Sequence, residues 1–171
     1  MKTESEIKSI RTHRYYLKDL TTPPIWTEEE KKIIAWSICW EGSIGIYANH
    51  KQPNSPYPKI DIGNTDFNLL KEFQSIVRLG NISNRNKSKI IPNAKPQRGW
   101  QLKSTKAIYY LLKSILPYIP SQRKYKEANL VIEFIENKIK KGIEYKRSIG
   151  KPSKRQLEIL QQFRRRPRYA K

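Results

Sequence analysis

The sequence has few of the residues that form covalent or metal cross-links. Its 171 residues include one cysteine, Cys39, and two histidines, His13 and His50. A lone cysteine cannot form an intramolecular disulfide or a thiolate metal cage, and two histidines are too few for a usual zinc centre. No apolar run approaches the ~20 residues of a membrane span, and the polar start lacks a signal-peptide core. We therefore expect an intracellular protein of the cytoplasm, nucleoid or an organelle, neither secreted nor bound to a membrane.

Acidic residues are scarce as well. Fifteen Asp and Glu against 35 Lys and Arg give a formal net charge of +20. Such a charge repels itself and destabilises the compact state, so a polyanionic partner is expected. DNA or RNA is the first candidate, because Lys and Arg displace counterions from phosphates. A membrane-surface binder would need a helix with one basic and one apolar face, whereas here the charge is spread along the chain. Charge alone does not separate an enzyme from a structural RNA binder.

Helix and strand signals predict an α+β domain with an antiparallel sheet. Thr27 followed by three glutamates forms a capping box, which predicts a helix over 28–41. The other predicted elements are strands at 44–49, 59–62, 81–91 and 100–103, a turn at 52–56, a helix between Asn64-Thr65-Asp66 and Gly80, and helices at 105–116, 122–140 and 153–164. The order is α-β-β-α-β-β-α with extra C-terminal helices. This length suits one core, 27–141, between a basic N-terminal extension, 1–26, and a basic C-terminal tail, 142–171.

One face of the predicted sheet is polar. Helices packed on one side of an antiparallel sheet leave the other side free. The residues expected on the free side are Tyr47, Asn49, Lys51, Lys59, Asp61, Arg85, Lys87, Gln101 and Lys103. Long polar side chains on such a face suit the reading of base edges in a major groove. An ordinary solvated sheet face would carry a similar set.

Residues 33–40 contain no charge, in a chain otherwise crowded with charge. Their apolar side chains point all round a helix, so the helix is expected to be buried on more than one side. A second copy of the same helix is an economical cover for the second side. Glu41 directly follows this segment, and two such carboxylates near a dimer axis beside DNA would suit Mg²⁺. On spacing alone, Glu41 could equally be a plain helix-end residue before a glycine turn.

The same segment resembles the signature motif of the LAGLIDADG homing endonucleases. The resemblance is carried by Ile34-Ala35-Trp36-Ser37-Ile38-Cys39-Trp40-Glu41-Gly42-Ser43, and the acid-Gly-Ser before an alternating strand matches best. It extends over 27–141 and includes Ile62-Gly63-Asn64-Thr65-Asp66 and the basic stretch from Arg123 to Val131. A single motif implies the homodimeric subclass and an antiparallel, saddle-like sheet.

The resemblance implies a function and a set of site residues. It implies site-specific hydrolysis of double-stranded DNA by a homodimer with Mg²⁺ or Mn²⁺, on a long pseudo-palindromic site, by a protein encoded within an intron. Glu41 takes the place of the metal-holding acid, and the Trp40 carbonyl is a further metal ligand. Lys124 matches the basic residue near the scissile phosphate, and Asn64 falls near a polar residue that organises water.

The chain departs from the family at the dimer helix. The family has small residues where Trp36 and Trp40 stand, because two helix backbones touch there. Ala35 and Cys39 have the spacing to replace them if the helix is rotated, so the expected dimer interface comprises Ala35, Trp36, Ile38 and Cys39. A non-cleaving intron maturase or a DNA- or RNA-binding regulator of the same fold is the alternative function. The presence of Glu41 favours the endonuclease.

Overall fold

A computed structural model of the chain describes residues 23–49, 52–84, 97–144 and 152–164. Within these residues the α+β architecture predicted from the sequence is present. The elements in chain order are α1 (Glu28–Glu41), β1 (Gly42–Asn49), β2 (Gln52–Asn64), α2 (Phe67–Val77), β3 (Asn81–Asn84), β4 (Arg98–Leu102), α3 (Thr105–Ile115), a short 3₁₀ turn (Leu116–Tyr118), α4 (Gln122–Glu144) and α5 (Lys154–Arg164). The N-terminal extension lies outside the described residues apart from the segment just before α1.

The start of α1 confirms the predicted capping box. The Thr27 hydroxyl accepts a hydrogen bond from the Glu30 amide at 3.2 Å, and the Thr27 amide donates to the Glu30 carboxylate at 2.8 Å. Two of the amides that a helix start leaves unpaired are thereby satisfied. Three acids in the first turn also complement the positive end of the helix dipole. The observed bounds agree with the predicted 28–41.

The four strands form one antiparallel sheet in the order β1-β2-β4-β3. Gly42 of β1 pairs with Ile62 of β2, and Ile62 pairs in turn with Trp100 of β4. Side chains alternate between the two faces of a strand. The face that packs on the helices carries the buried residues Ile44, Ile46, Ile60, Ile62, Trp100 and Leu102.

The predicted turn at 52–56 was wrong, because β2 extends from Gln52 to Asn64, with a shift of register against β1 between Tyr47 and Asn49. Its prolines led to the turn prediction. The β4 strand pairs with Ile60–Asn64, so among the described strands the first half of β2 has β1 as its one neighbour. Proline is tolerated on such an edge, since one side of the strand needs no ladder hydrogen bond.

The core lies between the sheet and the helices. The apolar faces of α3 and α4 supply Ile108, Leu111, Leu112, Ile115, Val131 and Ile135, all fully buried. The predicted boundary at residue 141 falls inside α4, which continues to Glu144. Beyond it, α5 packs on α4 and β1 with Ile159 and Leu160 buried. Part of the predicted basic tail is therefore packed against the body of the protein.

Candidate cleavage site and nucleic-acid interface

Glu41 is the last residue of α1, and its side chain is exposed. The following residue, Gly42, begins β1 and donates its amide hydrogen to the Ile38 carbonyl. A Cβ atom on Gly42 would lie 2.7 Å from that same carbonyl oxygen, so only glycine fits at this close approach. The direct passage from helix to strand therefore holds the Glu41 carboxylate at the junction between the two elements.

Lys124, in the first turn of α4, reaches the same junction. Its ammonium donates to the Gly42 carbonyl oxygen at 2.6 Å. It also lies 3.6 Å from the Glu127 carboxylate, and that carboxylate is 3.3 Å from the guanidinium of Arg123. The predicted Lys124 therefore contacts the backbone of the residue that follows Glu41. Glu127 was not among the predicted site residues, although its spacing of three and four residues from two cations on one helix was a usable signal.

Asn64 lies at the same end of the sheet. It is the last residue of β2, two positions beyond Ile62, which pairs with Gly42. Its side-chain oxygen accepts a hydrogen bond from the Asp66 amide at 2.9 Å, and Asp66 in turn caps α2. In this structure the Asn64 amide therefore helps to start a helix while standing near the α1–β1 junction.

The expected dimer residues divide between two sides of α1. Ala35 and Ile38 are fully buried in the core of their own chain, so neither side chain is available to a partner. Cys39 is half-buried on the side that faces the start of α4, and this burial raises the pKa of its thiol. The chain itself thus covers Ala35 and Ile38 fully and Cys39 in part, and the expected dimer interface remains a prediction.

The opposite side of α1 is exposed and strongly apolar. Trp36 is 53% exposed and Trp40 is 74% exposed, and Ile33 continues the same stripe one turn earlier. The two indole rings lie 6.3 Å apart in a tilted arrangement. We call Ile33, Trp36 and Trp40 the tryptophan face. Of the four residues expected at the interface, only Trp36 belongs to it.

The sheet face turned away from the helices carries several of the predicted polar residues. Tyr47 is exposed, and Lys59 forms an ion pair with Asp61 at 3.3 Å and lies 5.1 Å from the Tyr47 ring centre. By register, Gln101 pairs with Asp61 and lies on the same face, while Lys103 follows β4 and is exposed. Asn49 is the last residue of β1. Lys51, Arg85 and Lys87 lie outside the described residues.

Further polar residues share that face and were missed. Tyr57 pairs across the strands with Tyr47, and their ring centres are 6.3 Å apart. Register also places Ser43, Asn81 and Ser83 there. Tyr57 was missed because its segment had been predicted to lie outside the strands, so its alternation with Lys59 was not counted.

Comparisons with known proteins give the fold its name. No protein-family model matches the sequence, and no curated protein matches it. Among solved structures, I-CvuI with DNA is 16% identical over 80% of this chain and 98% of its own, with a TM-score of 0.52. The group I intron-encoded homing endonuclease I-CeuI with DNA is 14% identical over 94% and 90%, with a TM-score of 0.52. The LAGLIDADG homing endonuclease I-GzeII with its DNA target is 15% identical over 78% and 42%, with a TM-score of 0.54. The chain has the LAGLIDADG homing endonuclease fold.

This LAGLIDADG fold carries a cationic groove at the edge of the sheet. The groove has a volume of about 530 Å³ and is lined by residues of α2, β3 and β4, among them Phe67, Lys71, Asn81, Ser83, Asn84 and Arg98. Within the described residues, no carboxylate forms an ion pair with Lys71 or Arg98. Since Ser83 belongs to the polar sheet face, the groove continues that face around the outer strand β3.

The metal donors of this LAGLIDADG fold are few. No group of three or more His, Cys, Asp or Glu side chains is placed to hold a metal in the part of the chain that the structure describes. Glu41 offers one carboxylate. Mg²⁺ is commonly bound by one or two carboxylates together with substrate phosphates and water, so this donor set fits a site that a second Glu41 and DNA would complete.

No helix among the described residues is long and apolar enough to cross a membrane.

Proposed function

We propose that the chain is a site-specific endonuclease that cuts double-stranded DNA as a homodimer with Mg²⁺ or Mn²⁺. The observation that carries the proposal is the hydrogen bond from Lys124 to the carbonyl of Gly42, the residue that directly follows the exposed Glu41. Phosphodiester hydrolysis needs a carboxylate that can bind a metal ion and a positive charge near the phosphate. The exposed Glu41 and the buried Lys124 supply these two groups at one junction.

Glu41 and the Trp40 carbonyl would hold the metal ion. When bound, the ion would supply an activated water and charge neutralisation at the phosphate. Lys124 would place a positive charge close to the phosphate oxygens, where negative charge grows in the transition state. Asn64, at the same end of the sheet, would orient water through its amide.

The polar sheet face would read the DNA sequence. Tyr47, Lys59, Gln101 and Lys103 would contact base edges. Asp61 would bind a base only after its ion pair with Lys59 is broken. The Lys71 and Arg98 groove, at the edge of this face, would contact the sugar–phosphate backbone and so set the register of the duplex. Asn49, Lys51, Arg85 and Lys87 complete the predicted set of base contacts.

A second copy of the chain would cover the tryptophan face. Two exposed indoles and an isoleucine on one helix form an apolar patch that a soluble +20 chain would not be expected to leave open. Pairing this face across a two-fold axis would bring two α1 helices together at their ends. The two Glu41 carboxylates would then share one DNA duplex, one for each strand.

The alternative is a protein of this fold that binds nucleic acid without cutting it, such as an intron maturase or a regulator. The deciding experiment selects cleaved molecules from a random DNA library in Mg²⁺, with a parallel selection for bound molecules in Ca²⁺. We expect one pseudo-palindromic site in both selections. A bound site that neither Mg²⁺ nor Mn²⁺ causes to be cut would reject cleavage and favour the alternative. An intracellular, intron-encoded origin belongs to the same proposal.

A further inference from the structure

Glu127 is a buried carboxylate that the proposed function does not use. Its side chain is only 5% exposed, and it faces two cations of its own helix, Arg123 at 3.3 Å and Lys124 at 3.6 Å. Burial of an ionised carboxylate is unfavourable unless it is paired. The residue lies past the first turn of α4, so the dipole of that helix gives it little stabilisation. The two cations therefore offset part of the cost of burying it.

Lys124 is held from two sides. Its ammonium, on a residue that is 6% exposed, has the Gly42 carbonyl at 2.6 Å and the Glu127 carboxylate at 3.6 Å. A lysine stem has several rotatable bonds, and fixing it costs rotamer entropy. The charged partner adds the electrostatic attraction that a neutral carbonyl alone does not provide. Cys39 lies nearby: burial raises the pKa of its thiol most, while the Lys124 ammonium lowers that pKa and the Glu127 carboxylate raises it.

We propose that Glu127 is a positioning residue, which holds the Lys124 ammonium against the Gly42 carbonyl and so fixes the end of α1 at Glu41. The inference rests on the proposed function for its effect on cleavage, but the contact itself can be measured without DNA or metal. In this proposal Glu127 acts through Lys124 and makes no contact with the substrate itself. Arg123, whose side chain is 73% exposed, closes the outer side of the carboxylate and contributes less.

The first test needs neither DNA nor metal. The ¹³C resonance of the Gly42 carbonyl reports on the hydrogen bond that it accepts from Lys124. In Glu127→Gln we expect this resonance to move toward its position in Lys124→Met, whereas Glu136→Gln, a loss of charge on the same helix away from Gly42, leaves it in place. An unchanged Gly42 resonance in folded Glu127→Gln would overturn the proposal. If that variant does not fold, Glu127→Asp, which keeps the charge on a shorter side chain, is measured with the same expectation.

The second test measures cleavage. Glu127→Gln should lower kcat by about 10- to 100-fold, the usual range when a residue that orients a group of the site is replaced. DNA affinity in Ca²⁺ should stay unchanged. In a Lys124→Met background the same substitution should cause no further loss, because Glu127 acts through Lys124. An equal loss in both backgrounds, or a loss of DNA affinity, would mean that Glu127 has a merely structural role. A wild-type protein that cuts no DNA would reject the proposed function, and the Gly42 resonance would still decide the contact.

Discussion

The guanidinium of Arg98 lies over the ring of Phe67, with 3.7 Å between its central carbon and the ring centre. The ammonium of Lys71, one helical turn after Phe67, lies 4.4 Å from the same ring centre. Cations placed over an aromatic ring gain about 0.5–1 kcal/mol at exposed sites. Phe67 therefore keeps the two positive charges close together at the edge of the sheet, where an anion could bind both.

Removal of these charges should weaken DNA binding without regard to sequence. The plot of log K against log salt concentration has a negative slope. In Lys71→Gln and Arg98→Gln we expect this slope to become less steep by about 1 for each charge, because each residue releases counterions from a phosphate. Titrations of cognate and random duplexes at several salt concentrations measure this. Lys113→Gln, which removes a cation paired with Glu136 on the helix layer, is the control and should leave the slope alone. Equal slopes in all four proteins would exclude the groove from the interface.

Replacement of Glu41 should separate binding from cleavage. Glu41→Gln keeps the size of the side chain but removes the carboxylate, so we expect cleavage to fall by at least about 100-fold. DNA affinity should be kept or slightly raised, because a negative charge has left the neighbourhood of a polyanion. Gel-based cleavage and binding assays in Mg²⁺ and Ca²⁺ measure the two effects. Glu29→Gln, an exposed acid at the other end of α1, serves as the matched control, and normal cutting by Glu41→Gln would refute the proposed role.

Truncation of the tryptophan face should dissociate the dimer. Each of Trp36→Ala and Trp40→Ala should raise the dimer Kd by about 30-fold or more, since central aromatic residues contribute at least ~2 kcal/mol to interfaces. Both side chains are largely exposed in one chain, so circular dichroism should show an intact fold. Light scattering over a concentration series gives the Kd. Leu69→Ala, an exposed residue of α2, is the control, and a wild-type protein that stays monomeric at all concentrations would contradict the proposed dimer.

Gly80 should be irreplaceable for stability. Its φ of +79° is a backbone conformation that other residues rarely adopt, and a Cβ atom there would lie 2.6 Å from the indole nitrogen of the fully buried Trp100. We expect Gly80→Ala to lower the free energy of unfolding by about 2–4 kcal/mol, as strain and overpacking add. Urea denaturation measures it. Gly45→Ala is the comparison, because the three atoms nearest to its added Cβ all belong to the Tyr47 side chain, the closest at 3.2 Å.

The link between Glu30 and Arg78 should make stability depend on pH. Arg78 donates hydrogen bonds to the Glu30 carboxylate, and the backbone amide of Thr27 donates another. These hydrogen bonds hold the pKa of Glu30 below its ordinary 4.5. The carboxylate form is favoured in the folded state, so its contribution is complete above pH 4.5 and is lost as the pH falls through the lower folded value. We therefore expect Glu30→Gln to lower Tm at pH 7 and to approach the wild type in acid.

Any loss of one acid raises the net charge of this basic chain, so the Glu30 experiment needs a charge-matched control. Glu72→Gln, on the exposed surface of α2, provides it. A Tm difference between Glu30→Gln and Glu72→Gln that persisted unchanged into strong acid would contradict the assigned cause.

Local signals in the sequence predicted the elements well. Thr27 and Glu30 satisfy each other's backbone groups across a few residues, and the alternation from Ile44 to Asn49 needs only one buried face. The prediction of the tryptophan face was poorer. Residues 33–40 are apolar all round, and hydrophobicity alone could not decide which side the chain itself would cover. That depended on the positions of the sheet and α3, which are set by contacts far along the sequence.

The candidate site was predictable only in part. The resemblance to a motif gave Glu41, Lys124 and Asn64, but not how they are held. That Lys124 donates to the Gly42 carbonyl follows from the packing of α4 against the α1–β1 junction, and no local pattern contains this information. The groove has the same limitation: Phe67 and Lys71 share one helix face by spacing, whereas Arg98 reaches them only because β4 lies beside the end of β2.

The hydrogen bond from Lys124 to Gly42 joins positions that are 82 residues apart. On the ribosome, α1 and the whole sheet are synthesised before α4, so the Gly42 carbonyl lacks its donor until the chain has grown past Lys124. A nascent or truncated chain that stops before Gln122 therefore contains Glu41 and the polar sheet face without the anchor of the α1–β1 junction. The order of synthesis thus postpones a finished site until the chain has been made as far as the start of α4.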